Sequence, residues 1–181
     1  MQTFFQDTMA TPLGELLIIA DENNHLRAVE WREYEDDLFR SLNRSYRNDP
    51  FSLQSRHNPG GLTDSLQRYF DGELAIIDTL PVASVGTEFQ QQVWRELRRI
   101  PCGEITTYGE LATLLGRPGA ARAVGMANGS NPVSIVVPCH RVIGTGGALT
   151  GYAGGIHRKQ WLLAHEGYLP KQLFQQNSLP L

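Results

Sequence analysis

The chain has 181 residues, 41% of them hydrophobic and 19% charged, enough apolar surface for a sizeable core and not the composition of a disordered chain. No stretch approaches the ~18 consecutive apolar residues of a membrane span. The formal charge of -3 argues against a nucleic-acid partner only until it is divided: residues 1–86 hold 14 carboxylates against 7 cations, residues 87–170 hold 5 against 8, and a local basic surface can bind phosphates on an acidic chain.

From the N-terminus, Leu16 to Ala20 is an apolar run of strand length, and Asp21-Glu22-Asn23-Asn24 is turn chemistry. Leu26 to Trp31 alternates apolar and polar residues, so the pair predicts a hairpin. Tyr34 to Leu42 predicts a helix. Arg44 to Gly61, rich in Asn, Ser, Pro and Gly, predicts a loop. Leu62, Leu66, Tyr69 and Phe70 fall at helical spacing, and Gly72 stops that helix. No catalytic constellation is visible in this part, which reads as a folding scaffold. Residues 77–86, with Pro81, Ser84 and Gly86, read as the connection, giving domains over 1–86 and 87–170 and a loose tail over 171–181.

In the second part, Thr87 and Gln90 fit a capping box. The helix after them groups Phe89, Val93, Trp94, Leu97 and Ile100 on one face and leaves Arg95, Arg98 and Arg99 for solvent or phosphates. Tyr108 to Leu115 and Ala120 to Ala127 predict two short helices joined by Gly116-Arg117-Pro118-Gly119, a helix-turn-helix pattern. The second of these helices is made of small residues, Ala120, Ala121, Ala123, Gly125 and Ala127, around one long cation, Arg122. A major-groove reader carries several long polar side chains. Small residues instead admit a close backbone approach, as to a minor groove, where Arg122 can hold open the space of an extruded nucleotide.

Ser134 to Val137 is a β-branched run that predicts a buried strand ending in Pro138-Cys139-His140. A cysteine beside a histidine is a weak catalytic signal alone, since catalytic partners meet in space rather than in sequence. The surrounding pattern is stronger. Asn131 to Gly144, with Pro138-Cys139-His140-Arg141-Val142 inside it, resembles the signature of the O6-alkylguanine-DNA alkyltransferase family. Thr107 to Ala112, Ala120 to Gly125, and Trp161 to Gly167 match in order around it. Thr11 to Leu16, Gly60 to Asp64, and Ile76 to Pro81 resemble the constitutive bacterial members.

The resemblance implies an α+β fold: an N-terminal domain like ribonuclease H and a mostly helical C-terminal domain carrying the helix-turn-helix. It implies irreversible, stoichiometric transfer of an alkyl group from O6-alkylguanine in double-stranded DNA to Cys139, with O4-alkylthymine a second substrate left open. His140, acting through a water, and Glu166 would keep the sulfur ionised, and Asn131 would order the turn. Tyr108 would serve the leaving base and its rotation. The carbonyls of Cys139 and Val142 would face the exocyclic amine, an amide near Ala153 would face O6, and Tyr152 would line the pocket. No cofactor and no metal is called for, because the lesion is itself the alkyl donor. Cys102 reads as structural. With two cysteines and no basic-then-apolar leader, the chain is expected to be a cytoplasmic monomer with thiols reduced. Two rival readings stay open here. One is a helix-turn-helix protein that binds alkylated DNA without repairing it, the other a cysteine hydrolase.

Overall fold

The computed structural model describes residues 1–168; the predicted tail lies outside them. Strand β1 (Gln2–Thr11) pairs antiparallel with β2 (Gly14–Asp21), and β2 with β3 (Leu26–Trp31). Helix α1 (Glu35–Ser45) follows, and β4 (Phe51–Ser55) then returns parallel to β1, giving the order β3-β2-β1-β4. The hairpin and α1 fall where the sequence places them. Strand β4 falls inside the predicted loop: Phe51-Ser52-Leu53 alternates, but over only five residues beside Asn48, Asp49 and Pro50, and Phe51 is only half-buried with Leu53 39% exposed. Strand β1 has no clean alternation.

The two-residue period of β2 divides its side chains between two cores. Leu17 and Ile19 pack with Phe4, Ala28 and, from α1, Leu38 and Leu42. Leu16, Ile18 and Ala20 face the other way, into a core shared with α2 (Leu62–Phe70) and with helix α3 (Glu88–Leu97) of the second unit. Both faces of the sheet are therefore covered. The free edge of β3 is covered too. Leu26 exchanges backbone hydrogen bonds with Pro81 and Ala83, and Val29 with Pro132 and Ser134, which removes a template for strand addition.

The second unit begins with α3, whose capping box forms as predicted. Gln90 N donates to the Thr87 hydroxyl at 3.2 Å and Thr87 N to the Gln90 side chain at 2.9 Å. Arg98 corrects the expectation of three free cations on α3: its guanidinium donates to the carbonyls of Leu80 and Asp78 and ties the connection down. Strand β5 (Thr106–Thr107) leads into α4 (Tyr108–Leu114), where Thr107 and Glu110 form a second capping box. Gly116, at φ 70°, closes α4 in a conformation that a side chain would strain. Helix α5 (Ala121–Gly129), the two-residue strand β6 (Val142–Ile143) and α6 (Ile156–His165) complete the described chain. None of its helices is long and apolar enough to cross a membrane.

The predicted strand over Ser134–Val137 is not formed. The segment is a buried turn in which Ile135 takes φ 73°, unusual for a β-branched residue. The Asn131 side chain imposes it: Oδ1 accepts from Val133 N at 3.0 Å and Nδ2 donates to Val137 O at 2.8 Å. Burial and branching made the segment look like a strand; an amide side chain fills the hydrogen bonds a neighbouring strand would have filled.

Replacing Thr87 by Ala removes the hydroxyl half of the α3 capping box. It is expected to lower stability by about 1 kcal/mol, read as a shifted urea midpoint with an unchanged slope.

Candidate active site

Cys139 starts a single helical turn, Cys139–Arg141, immediately after the Asn131-ordered segment. It is 6% exposed and borders a cavity of about 530 Å³. Tyr108, Gly125, Asn128, Asn131, Tyr152 and Ala153 line the same cavity. Elements far apart in sequence thus converge on one sulfur: the start of α4, the middle of α5 and the Thr150–Ala153 loop. A Cβ on Gly125 would sit 3.8 Å from the Tyr108 ring, so the two helices of the pair meet at the mouth. The Tyr108 hydroxyl donates to Thr150 O at 3.2 Å and would exchange that partner for an entering ligand. The Tyr152 hydroxyl is buried without a partner among the described residues.

Behind the sulfur lies a buried ionic cluster centred on Glu166, at the C-terminal end of α6. Its Oε1 faces His140 Nε2 at 2.8 Å and accepts from Arg141 at 2.8 Å and from the Tyr69 hydroxyl at 2.8 Å. Its Oε2 accepts from Arg141 Nε at 2.8 Å. A carboxylate accepts only, so the His140 proton sits on Nε2 and Nδ1 carries the lone pair; Nδ1 is buried without a partner among the described residues. Burial alone would raise the Glu166 carboxyl. The hydrogen bonds from Arg141 and His140 and the charge of Arg141 outweigh it and hold the acid well below the carboxylate range. His140 is pushed below its ordinary value, first by burial and then by Arg141 and Lys159, against the pull of Glu166. It rests as a neutral base.

The sulfur departs from expectation. Burial pushes the Cys139 thiol up to about 11, against the opposing effects of Asn131 and Lys159. At neutral pH the resting pair is therefore thiol and imidazole, not thiolate and imidazolium. The reason is dielectric: in a site this dry, separating the two charges without a reacting partner is unfavourable. The ring can receive the proton, but it does not hold the sulfur ionised in advance.

Val142, expected to present its carbonyl to a ligand, is fully buried and does not line the cavity. Its oxygen accepts from Lys159 Nζ at 2.5 Å. The Cys139 carbonyl accepts from Asn128 Nδ2 at 3.3 Å. Each oxygen has a second lone pair, so a further donor is admissible at both. On α5, Arg122 and Ala123 are exposed, Gly125 is half-buried, and Val124 and Ala127 reach the core. Ala121 is half-buried, and Ala120 lies just before the helix and packs on the core. Met126, which the sequence reading passed over, is 74% exposed on the turn above Arg122. Sequence reading also missed Tyr69, Arg141, Asn128 and Lys159. A tyrosine at core spacing reads as packing, and cations are expected at surfaces. Among the described residues no group of three potential ligands is placed to hold a metal ion. Cys102 is half-buried beside Arg141, and burial pushes its thiol up to about 11.

Arg141 and Lys159 are both fully buried cations, yet only Arg141 has a carboxylate partner among the described residues. Burial lowers Lys159 from 10.5 to about 8. Between those values the unfolded chain binds the extra proton, so stability rises with pH across that window. Below about pH 8 the charge costs about 3 kcal/mol. Lys159→Met is accordingly expected to raise stability at pH 7 by about 1–3 kcal/mol and to flatten that rise. Arg141→Met, which strands Glu166, is expected to lower stability by about 3–5 kcal/mol. Denaturant unfolding from pH 7 to 10 checks both signs.

The comparisons with known proteins agree with one another. The family model described as 6-O-methylguanine DNA methyltransferase, ribonuclease-like domain, matches residues 5–84, and that described as 6-O-methylguanine DNA methyltransferase, DNA binding domain, matches residues 88–168. A methylated-DNA–protein-cysteine methyltransferase of Shigella flexneri is 60% identical over 169 residues, covering 93% of this chain and 99% of the relative. One of Salmonella typhimurium is 59% identical with the same coverage. The crystal structure of a Mycobacterium tuberculosis O6-methylguanine methyltransferase is 39% identical, with a TM-score of 0.73 over 97% of this chain and 99% of that one. A structure of Mycobacterium tuberculosis OGT in complex with DNA is 38% identical, with a TM-score of 0.71 over 94% and 97%.

Proposed function

The chain belongs to the 6-O-methylguanine DNA methyltransferase family, and from that premise we infer that it repairs DNA by moving the alkyl group of O6-alkylguanine onto its own Cys139. The observation that carries the residue assignment is a thiol on the cavity wall followed directly in the chain by a buried neutral imidazole, one of whose nitrogens is anchored to a buried carboxylate.

As the Cys139 sulfur attacks the alkyl carbon, its proton passes through a bridging water to His140 Nδ1. The S–C bond forms while the C–O6 bond breaks, and the electron pair leaves with the guanine. The imidazolium is stabilised by Glu166 as it forms. Tyr108 donates to the departing base, whose negative charge is relieved by protonation. The base ends as guanine and the sulfur as a thioether; the imidazolium then gives up its proton to solvent and Tyr108 takes one back, so no proton is gained or lost overall. Nothing in the cluster can break a thioether, so each molecule acts once.

Arg122, Ala123 and Gly125 belong to the face of α5 that meets the minor groove, the small residues permitting approach and Arg122 filling the stack behind a rotated base. Cys139 makes the binding-only reading unnecessary. A hydrolase would have no use for the helix pair. Asn131 acts on the turn rather than on the substrate. Tyr152 and Ala153 form the pocket wall beside the base, while Val142 lies outside that wall with its carbonyl taken up by Lys159.

Incubation with an oligonucleotide carrying one O6-methylguanine should add one methyl group to the Cys139 peptide, none to the Cys102 peptide, and reach a plateau at one lesion per molecule. Cys139→Ser should abolish transfer. Repair of many lesions per molecule, read by mass spectrometry against excess substrate, would overturn the assignment.

A further inference from the structure

Tyr69 stands on the last turn of α2, in the ribonuclease-like unit, and is fully buried. Its hydroxyl donates to Glu166 Oε1, the oxygen that also faces His140. Among the described residues it is the donor to Glu166 that comes from the first unit. The phenol keeps its proton, since burial and then the Glu166 charge push it well above the ordinary tyrosine range.

Each donor on Oε1 draws negative charge away from the face that His140 sees. Without the phenol, Oε1 would be more negative, the imidazolium would be favoured, and the base would be protonated at higher pH. Groups acting on the ring are Glu166 and Lys159 from the buried side of α6 and its C-terminal end, Arg141 on its own turn, and Tyr69 through Glu166 from α2. Arg141 and Lys159 oppose protonation by charge; Tyr69 opposes it by sharing the carboxylate.

We propose that Tyr69 is a positioning residue for the alkyl transfer: its hydroxyl tempers Glu166 Oε1 so that His140 stays a neutral base, and through it the first unit takes part in moving the proton. This rests on the reading of His140 as the base.

The test is the ring titration of His140 followed by nitrogen NMR, with its signals assigned against a His140→Gln protein. Alongside it runs the single-turnover methyl transfer rate from O6-methylguanine DNA across pH 5 to 9. In Tyr69→Phe the His140 midpoint should move up by roughly half to one pH unit. The acid limb of the rate should move with it, lowering transfer about threefold or more on the acid side and little at pH 8. Replacing Tyr69 by 3-fluorotyrosine, a stronger donor of nearly the same shape, should move the midpoint down and covers the case in which the Phe variant does not fold. A midpoint unmoved in these proteins overturns the proposal, even if the rate falls uniformly, as a packing defect would make it. If the unaltered protein transfers no methyl group, the functional reading fails, while the ring titration still decides on Tyr69.

Discussion

A single buried carboxylate organises this molecule. Glu166 receives donors from the Cys139–Arg141 turn and from α2 of the other unit, and it sits at the end of α6. An ionised carboxylate in such surroundings is tolerable only when its oxygens are filled. Arg141 supplies the opposite charge, and His140 and Tyr69 supply the remaining donors. The requirement runs both ways. The turn, α6 and α2 must be brought together for Glu166 to be buried at all, and once they are, the imidazole has one tautomer and one orientation. Stability and site geometry therefore share the same hydrogen bonds.

The cluster leaves the nucleophile unactivated at rest. A thiol pushed up to about 11 by burial, beside an imidazole that burial depresses, rests protonated at neutral pH. A protein consumed by its own reaction has reason to stay so: a resting thiolate would be spent on small alkylating agents or oxidants. What remains is a proton acceptor already aimed, so the cost of separating charge is met only when an alkyl carbon is in line to receive the sulfur's electrons. Lys159 fits the same logic. It is held in a dry site without a carboxylate partner among the described residues, hydrogen-bonded to Val142 O, and this destabilising cation lies where it favours negative charge on sulfur.

Much of this was legible beforehand, for identifiable reasons. The β2–β3 hairpin, α2 and the helix pair follow from periodicity and turn residues. Both ends of α3's capping box follow from two residues at fixed spacing. Cys139, His140, Glu166, Tyr108 and Asn131 were singled out through a resemblance, not through local chemistry, and the distance between Cys139 and Glu166 in sequence shows why. What stayed hidden depends on the third dimension. Strand β4 is a five-residue edge strand whose short alternation, Phe51-Ser52-Leu53, is masked by the Asn, Asp and Pro before it. The Ser134–Val137 segment carries the strand pattern and is overridden by one side chain, Asn131, four residues before the strain at Ile135. Tyr69 looks like any core aromatic until its hydroxyl is placed against Glu166. Arg141 and Lys159 are charged residues whose burial no periodicity announces.

The two units that the charge distribution separates share one core. The core that holds Leu16, Ile18 and Val29 of the sheet also holds Val93, Leu97, Val133 and Cys139. Val29 exchanges backbone bonds with the segment that Asn131 shapes. Arg158, on α6, lies over Trp31 at 4.2 Å and donates to Leu13 O and Gly154 O, anchoring the loop that bears Tyr152 to the first hairpin. These contacts fix the cavity wall on one side and the carboxylate behind the sulfur on the other. Loosening the sheet from the helices would enlarge the cavity, wet the imidazole and unseat Glu166 in one step. The acidic first unit thus contributes rigidity, dryness and one hydrogen bond to the site, and leaves the exposed small-residue face of α5, with its one cation Arg122, uncovered.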